Sequence, residues 1–246
     1  MWRELAKRLH PEGIPWPATV LYDRLTRTFI FRDHYRRVAE DIAARCPPGS
    51  LLDIGTGPGG LLEVLHARRP DLKLTGVDIS RGMVAQARQN MARAGLAAIV
   101  DIQLAAADRL PFADASVDTV VSTGSIHHWK DVPAGLREVY RVLRPGGLGL
   151  MYDLVADTPP EVMRDLARKY GRVRATLLWL HSFEEPFQTV KDFASLAAQT
   201  PFITGQVQFI AAFCRLELVK PAPADGDRGT HRTEARGPDG QDGAVA

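Results

Sequence analysis

Leu51-Leu52-Asp53-Ile54-Gly55-Thr56-Gly57-Pro58-Gly59-Gly60 reads as a buried strand running into a glycine-rich turn. The apolar residues Leu61, Leu62, Val64 and Leu65 then begin a helix. Glycine is required where the backbone takes positive φ, or where another group comes closer than a Cβ permits. A strand, such a turn and a helix N-terminus together form a nucleotide-binding corner. Gly55, Gly57 and Gly60 satisfy Gly-x-Gly-x-x-Gly, which on its own points to NAD or FAD.

The nearby charges point elsewhere. Asp53 stands at the end of the strand, Asp78 closes the apolar run 72–77, and Asp108 closes a third run, 99–107. The carboxyl ends of parallel strands share one sheet edge, so the three carboxylates are expected in one crevice. A pyrophosphate would be repelled there, because like charges interact strongly in a partly desolvated site. A ligand with a sulfonium and an ammonium group would be attracted instead. S-adenosylmethionine (SAM) is such a ligand.

Further motifs follow in order: Gly76-Val77-Asp78-Ile79-Ser80, Asp108-Arg109-Leu110-Pro111-Phe112, Val117-Asp118-Thr119-Val120-Val121-Ser122 and Arg141-Val142-Leu143-Arg144-Pro145-Gly146-Gly147. Over roughly residues 22–220 the chain resembles the class I, Rossmann-like SAM-dependent methyltransferases, and most of all their small-molecule type 11 branch. The resemblance implies an α/β fold: a doubly wound, mostly parallel seven-stranded sheet, order 3-2-1-4-5-7-6, its last strand pair antiparallel. It implies SAM as cofactor and a small-molecule methyl acceptor, with the accepting atom (O, N or C) open. Asp53 is expected to hold the methionine ammonium, or else to cap the glycine turn. Asp78 can accept both ribose hydroxyls. Asp108 can accept from the adenine amine while the Arg109 backbone N–H faces the ring. Gly55, Thr56 and Gly57 should lie against the amino-acid end of SAM, and Ile79 is counted with the cofactor-binding residues. N-terminal helices in this family cover the cofactor and supply part of the substrate pocket. Tyr22 and Tyr35 are therefore candidates for substrate contact, or aromatic residues packed on the sheet.

Around these motifs the pattern alternates strand and helix, as a doubly wound sheet does. Residues 1–18 contain Pro11, Pro15 and Pro17 and read as a flexible N-terminal arm. The methyltransferase domain is expected over 19–220, opening with two helices that break near Arg32 and Asp33. Met83, Ala87, Met91 and Ala94 form one buried stripe on a later helix. Pro145-Gly146-Gly147 reads as a tight turn into strand 5. Residues 156–186 read as a helical insertion folding over the mouth of the site. A helix is expected over 189–198, and 203–209 with 213–219 alternate as a hairpin does. Residues 221–246 have almost no large apolar residue and are expected to be disordered.

The chain has 246 residues, 45% hydrophobic and 24% charged, which suits one soluble domain of this size. A formal net charge of +2 gives no electrostatic case for a nucleic-acid partner. Cys46 and Cys214, the two cysteines, have no metal-site spacing and read as reduced thiols. No apolar run approaches the roughly 20 residues of a membrane span, and the N-terminus lacks a signal-peptide core. A cytoplasmic protein is expected; its oligomeric state is not legible.

Ser125-Ile126-His127-His128-Trp129 lies just beyond strand 4, on the edge where the methyl group of SAM would sit. Adjacent histidines can bind metal, act as a general base or brace a loop. No further ligand set lies at metal spacing, so no metal is expected. His127 and His128 are the candidates for a base, with His128 favoured because it adjoins the Trp129 anchor. A non-catalytic SAM-binding or partner-regulating module of the same fold remains the alternative. An NAD-dependent oxidoreductase is disfavoured by the three aspartates.

Overall fold

Successive strand residues face opposite sides of a sheet, and β1 (Ser50–Ile54) shows the consequence. Leu51 joins one core cluster, while Leu52 and Ile54 join the other. A continuous apolar run is what a strand covered on both faces needs. In this computed structural model, which describes residues 23, 29–173, 175, 187–202 and 205–222, β1 sits inside a seven-stranded sheet. Its order is β3-β2-β1-β4-β5-β7-β6, as expected. Here β2 is Lys73–Asp78, β3 Asp101–Leu104, β4 Val117–Thr123, β5 Leu143–Asp153, β6 Gly205–Ile210 and β7 Phe213–Val219. The first five strands run parallel, and β7 is antiparallel to both β5 and β6.

Helices α1 (Phe29–Arg45), α2 (Gly60–Arg68) and α3 (Arg81–Arg93) cover one face through Val38, Ile42, Leu62, Leu65, Ala87 and Met91. The other face is covered by α4 (Val132–Val142) through Leu136 and Val139, and, after α5 (Pro160–Tyr170), by α6 (Val190–Ser195) through Phe193. Among the described residues no helix is long and apolar enough to cross a membrane.

Four local expectations are corrected. The helix does not break at Arg32 and Asp33: α1 runs through both. Asp33 is buried and accepts from Arg36 at 2.7 Å and Arg37 at 3.1 Å, one turn further on. It also accepts from Lys169 and Tyr170 of α5. Against the opposing effect of burial, the Lys169, Arg36 and Arg37 cations and the Tyr170 hydroxyl hold its carboxyl well below the usual range. Strand β5 starts at Leu143 instead of after Pro145-Gly146-Gly147, because Leu143 already pairs with Val117 across an irregularity in β4. Strand β3 ends at Leu104, where its partner β2 ends at Asp78, so Asp108 lies beyond the strand. The helix expected over 189–198 divides into α6 and a 3-10 turn, Ala197–Gln199. The arm 1–18, residues 176–186 of the expected insertion and residues 223–246 of the expected tail lie outside the described residues.

One ionic network docks α1 onto the late strands. Arg215 of β7 is 3% exposed and donates to both Asp41 oxygens, at 2.6 and 2.7 Å. The Tyr152 hydroxyl of β5 donates to the same carboxylate at 2.7 Å. Glu217 lies 3.1 Å from Arg215. Removing one partner of such a pair costs more than the pair contributes, since a buried charge is left behind. Asp41→Ala is expected to lower stability by about 3 kcal/mol, a Tm drop of roughly 6–12 °C for a chain of this size. Asp41→Ala with Arg215→Met should regain most of it. An unchanged Tm in the single variant would show that Glu217 suffices for Arg215.

Candidate cofactor and acceptor site

At the carboxyl edge of β1, β2 and β4 lies a cleft of about 780 Å³, open to solvent. Its floor is the glycine turn. Gly55 has φ 73° and Gly57 φ 54°, both in the left-handed region. The Gly55 and Thr56 N–H groups donate to the Val77 carbonyl at 2.8 and 3.0 Å, which ties the turn to β2. A Cβ on Gly55 would stand 1.9 Å from Ser125 Oγ. The space that this glycine leaves is thus filled by the histidine loop, an occupant the sequence reading did not consider.

Asp78 is held from both sides. Its Oδ2 accepts the Gly57 N–H at 2.9 Å and its Oδ1 the Ser80 N–H at 2.8 Å. Each oxygen retains further acceptor capacity, and the residue lines the cleft. Burial raises the pKa of its carboxyl, partly offset by these two N–H groups. Asp53 lies lower, 2% exposed, on the β1 face opposite Leu52 and Ile54. Its Oδ1 is buried without a hydrogen-bond partner. Burial pushes its pKa up to about 7, and the nearby Asp78 charge adds to the shift. The Thr56 hydroxyl stands close enough to offset part of this without forming a well-shaped hydrogen bond. Asp53 and Thr56 lie beneath the glycine turn and are not lining residues.

The remaining expected positions divide. Asp108 and Ile79 line the cleft. Ile79 is 39% exposed, an open apolar surface suited to a ring face. Arg109 is not brought in: its backbone N–H is committed to the Ala106 carbonyl at 3.2 Å, which removes the donor proposed for adenine. Tyr35 packs over Gly60, whose Cβ would lie 3.0 Å from the ring, and against the α1–α3 core outside the cleft. Tyr22 lies outside the described residues. Helix α5 packs on α1 through Asp33, and none of its residues lines the cleft.

The histidine loop is a 3-10 turn, Ile126–His128, braced by Trp129. The indole N–H donates to Ser125 Oγ at 3.1 Å, and the ring occupies the space beside Gly135. His128 lines the cleft. His127 turns inward, its Nδ1 2.9 and 3.0 Å from the two Asp153 oxygens. Asp153 also accepts the His127 backbone N–H at 2.9 Å and the Leu154 N–H at 2.8 Å. The sequence reading missed Asp153. The rule that placed Asp53 and Asp78 could have found it, since it ends β5 on the same sheet edge. Among the described residues no three His, Cys, Asp or Glu side chains are grouped to hold a metal ion.

Residues 52–151 match the family model described as a methyltransferase domain. The O-methyltransferase cnsE of Penicillium expansum is 32% identical over 219 residues, covering 86% of this chain and 71% of that protein. The chain belongs to the SAM-dependent methyltransferases. The chain is also 36% identical over 129 residues to the ubiquinone/menaquinone biosynthesis C-methyltransferase of Geotalea daltonii, covering 51% of the chain and 55% of that relative. The chain thus spans about half the length of several curated relatives it matches. In fold it is similar to a putative SAM-dependent methyltransferase of Methanococcus maripaludis, with TM-score 0.67 and 23% identity over 88% of this chain and 99% of that one.

The interlock between the glycine turn and the histidine loop is open to mutation. Gly55→Ala brings a Cβ to 1.9 Å from Ser125 Oγ at φ 73°, which should cost at least about 2 kcal/mol from overpacking and backbone strain together. Adding Ser125→Gly should recover the steric part but not the strain. Equal stability of the single and double variants, measured by denaturant unfolding, would contradict the interlock.

Proposed function

We propose that this methyltransferase transfers a methyl group from SAM to a carbon or oxygen atom of a small molecule. The observation that carries the reading is the stacked carboxylate pair: Asp78 held open to the cleft and Asp53 buried below it with an orphan oxygen. Among the described residues neither has a cationic partner. A cationic ligand would supply the missing charge, and a phosphate would add to the repulsion. Asp78 would take the ribose hydroxyls, Asp53 the ammonium through or beside Thr56, and Ile79 and Asp108 the adenine. The choice of carbon or oxygen rests on the names of the relatives, one an O-methyltransferase and another a C-methyltransferase. A cytoplasmic setting belongs to the same proposal and is supported by free, buried Cys46 and Cys214.

SAM supplies, when bound, an electrophilic methyl group whose departure leaves a neutral thioether. The chain's task is then alignment of the acceptor, a contribution worth several kcal/mol, and placement of any released proton. Transfer of label from methyl-labelled SAM into a metabolite extract tests the activity. Binding of SAM with no labelled product would leave a binding module in its place. Asp78→Ala should weaken SAM binding by roughly 1.5–3 kcal/mol, the scale for a hydrogen bond to a charged group; unchanged affinity would remove Asp78 from the site.

Asp53 gives the cofactor affinity a pH dependence. Its folded pKa, raised to about 7, means that the folded apo protein holds a proton that the unfolded chain releases near 4. On this account apo stability declines as pH rises through that interval. An ammonium beside Asp53 favours the carboxylate, so binding below pH 7 expels the proton. SAM affinity should strengthen from pH 5.5 to 6.5 and level off by 7.5, before the ligand's amino group titrates near 8. Asp53→Asn should bind more weakly with a flat profile. Calorimetry at the three pH values reads this, and a flat wild-type curve would separate Asp53 from the ammonium.

A further inference from the structure

We infer that a second cavity, separate from the cofactor cleft, is a binding site for an amphiphilic monocarboxylate: a small molecule with one carboxylate head and an apolar body. The site does not depend on the methyl-transfer reading. The cavity measures about 670 Å³, is open to solvent, and among the described residues shares no lining residue with the cleft. It lies where three elements meet. Arg37 comes from α1, Phe209 from β6, and Ala211 from the turn between β6 and β7. Helix α5 supplies residues 162, 165, 166, 169 and 170, a helical spacing that puts them on one face.

One part of that wall is apolar. Leu166 and Tyr170 are buried in a small core cluster that also holds Ala212, and Val162 packs against it. Ala211 opens the two-residue turn between the paired Ile210 and Phe213. Its φ is 54°, at a position where glycine is the usual residue. An alanine there keeps a methyl group on the cavity wall in spite of the backbone strain. The other part is cationic. Arg37 and Lys169 both donate to Asp33, with side chains 39% and 32% exposed. Arg37 uses only Nε for this bond, and among the described residues its two terminal nitrogens make none. Arg36, the other cation on Asp33, has Glu40 as a second partner at 2.7 Å. Asp165 is already paired with Arg168 at 2.7 Å.

Arg37, Lys169 and Arg168 thus bring three positive charges against two negative ones on Asp33 and Asp165, a surplus of one. A single carboxylate cancels that surplus, a phosphate dianion exceeds it, and a cation adds to it. The terminal nitrogens of an arginine also match the planar, two-oxygen face of a carboxylate. The apolar groups then select the body of the ligand, since burying them against hydrocarbon removes both from water. Tyr170 stacks on His34, with centroids 5.5 Å apart, and His34 meets the Phe213 ring edge-on at 5.8 Å. Phe213 lies 3.7 Å from the Cβ position of Gly124, a cleft residue. A row of rings therefore separates the two sites, and both can be filled at once.

The test titrates octanoate into the whole protein by calorimetry, with and without saturating SAM. One octanoate should bind per chain in both cases. Acetate lacks the apolar body, octylamine carries the opposite charge and inorganic phosphate has neither feature, so each should bind at least about 10-fold more weakly. Arg37→Gln and Lys169→Gln should each weaken octanoate about 10-fold, the scale of one hydrogen bond to a charged group. Arg164→Gln, an equal change of charge at an exposed position of α5 that does not line the cavity, should leave the affinity as it was. Because Lys169 also ties α5 to α1, the wild type supplies a second measurement. Nuclear Overhauser contacts should run from the octanoate chain to the methyl groups of Val162, Leu166 and Ala211. No octanoate binding, its loss when SAM is present, or contacts to Ile79 and Met83 of the cleft instead would overturn the site. Octylamine binding as well as octanoate, or an equal loss in Arg164→Gln, would overturn the role of Arg37 and Lys169. A failure to bind SAM would count against the cofactor reading alone, since octanoate is also titrated without it.

Discussion

Everything at the carboxyl edge depends on how the Asp78 carboxylate is held. A charged acceptor makes stronger hydrogen bonds than a neutral one, and Asp78 spends one on the glycine turn and one on the approach to α3. Two segments that arrive from different strands are thereby joined by a single side chain. The same N–H groups partly offset the rise that burial gives its pKa. Asp53 has no such support. Burial lifts its pKa to about 7, the Asp78 charge adds to the rise, and the Thr56 hydroxyl offsets only part of it.

A second set of contacts joins the two halves of the cleft. Ser125 fits the notch left by Gly55 and receives the Trp129 indole N–H, while Trp129 fits the notch left by Gly135 of α4. Glycine turn, histidine loop and α4 thus form one packed unit. The segment beyond Asp108 is tied to the same helix. Arg141 donates to the Leu110 and Phe112 carbonyls at 3.0 and 2.8 Å, and Glu138 accepts the Leu110 N–H at 2.8 Å. The cleft is lined by loops, but those loops are pinned to regular elements.

Much of this fold was legible because its signals are local. Apolar runs ended by aspartates announced the strands, and a resemblance carried by several ordered motifs set their order. What escaped depended on partners distant in sequence. The Asp33 pairings with α5 residues cannot be seen from the dipeptide Arg32-Asp33, which reads as a break. Leu143 pairs with Val117 before the proline that seemed to open β5. At the site, Asp53 and Asp78 were readable from strand ends, whereas Arg109 was misplaced because a turn hydrogen bond to Ala106 leaves no local mark. Asp153 obeys the readable rule and was passed over for want of a glycine motif beside it. Asp118 of the fourth motif proves to be architectural: it accepts the Ser50 backbone N–H at 2.8 Å and the Ser50 hydroxyl at 2.7 Å.

The docking of α1 has a consequence for synthesis on the ribosome. Asp41 and Arg215 are 174 residues apart, so α1 meets its principal ion-pair partner only after that much more chain has been made. At 5–20 residues per second the interval is roughly 10–35 s. During that time the apolar stripe of Val38, Ala39 and Ile42 lacks part of its final cover, and the half-made sheet lacks β7. Chaperones that bind exposed apolar helices have their longest opportunity on this segment. Slow codons placed after β5 would lengthen it further, without altering a single residue of the finished protein.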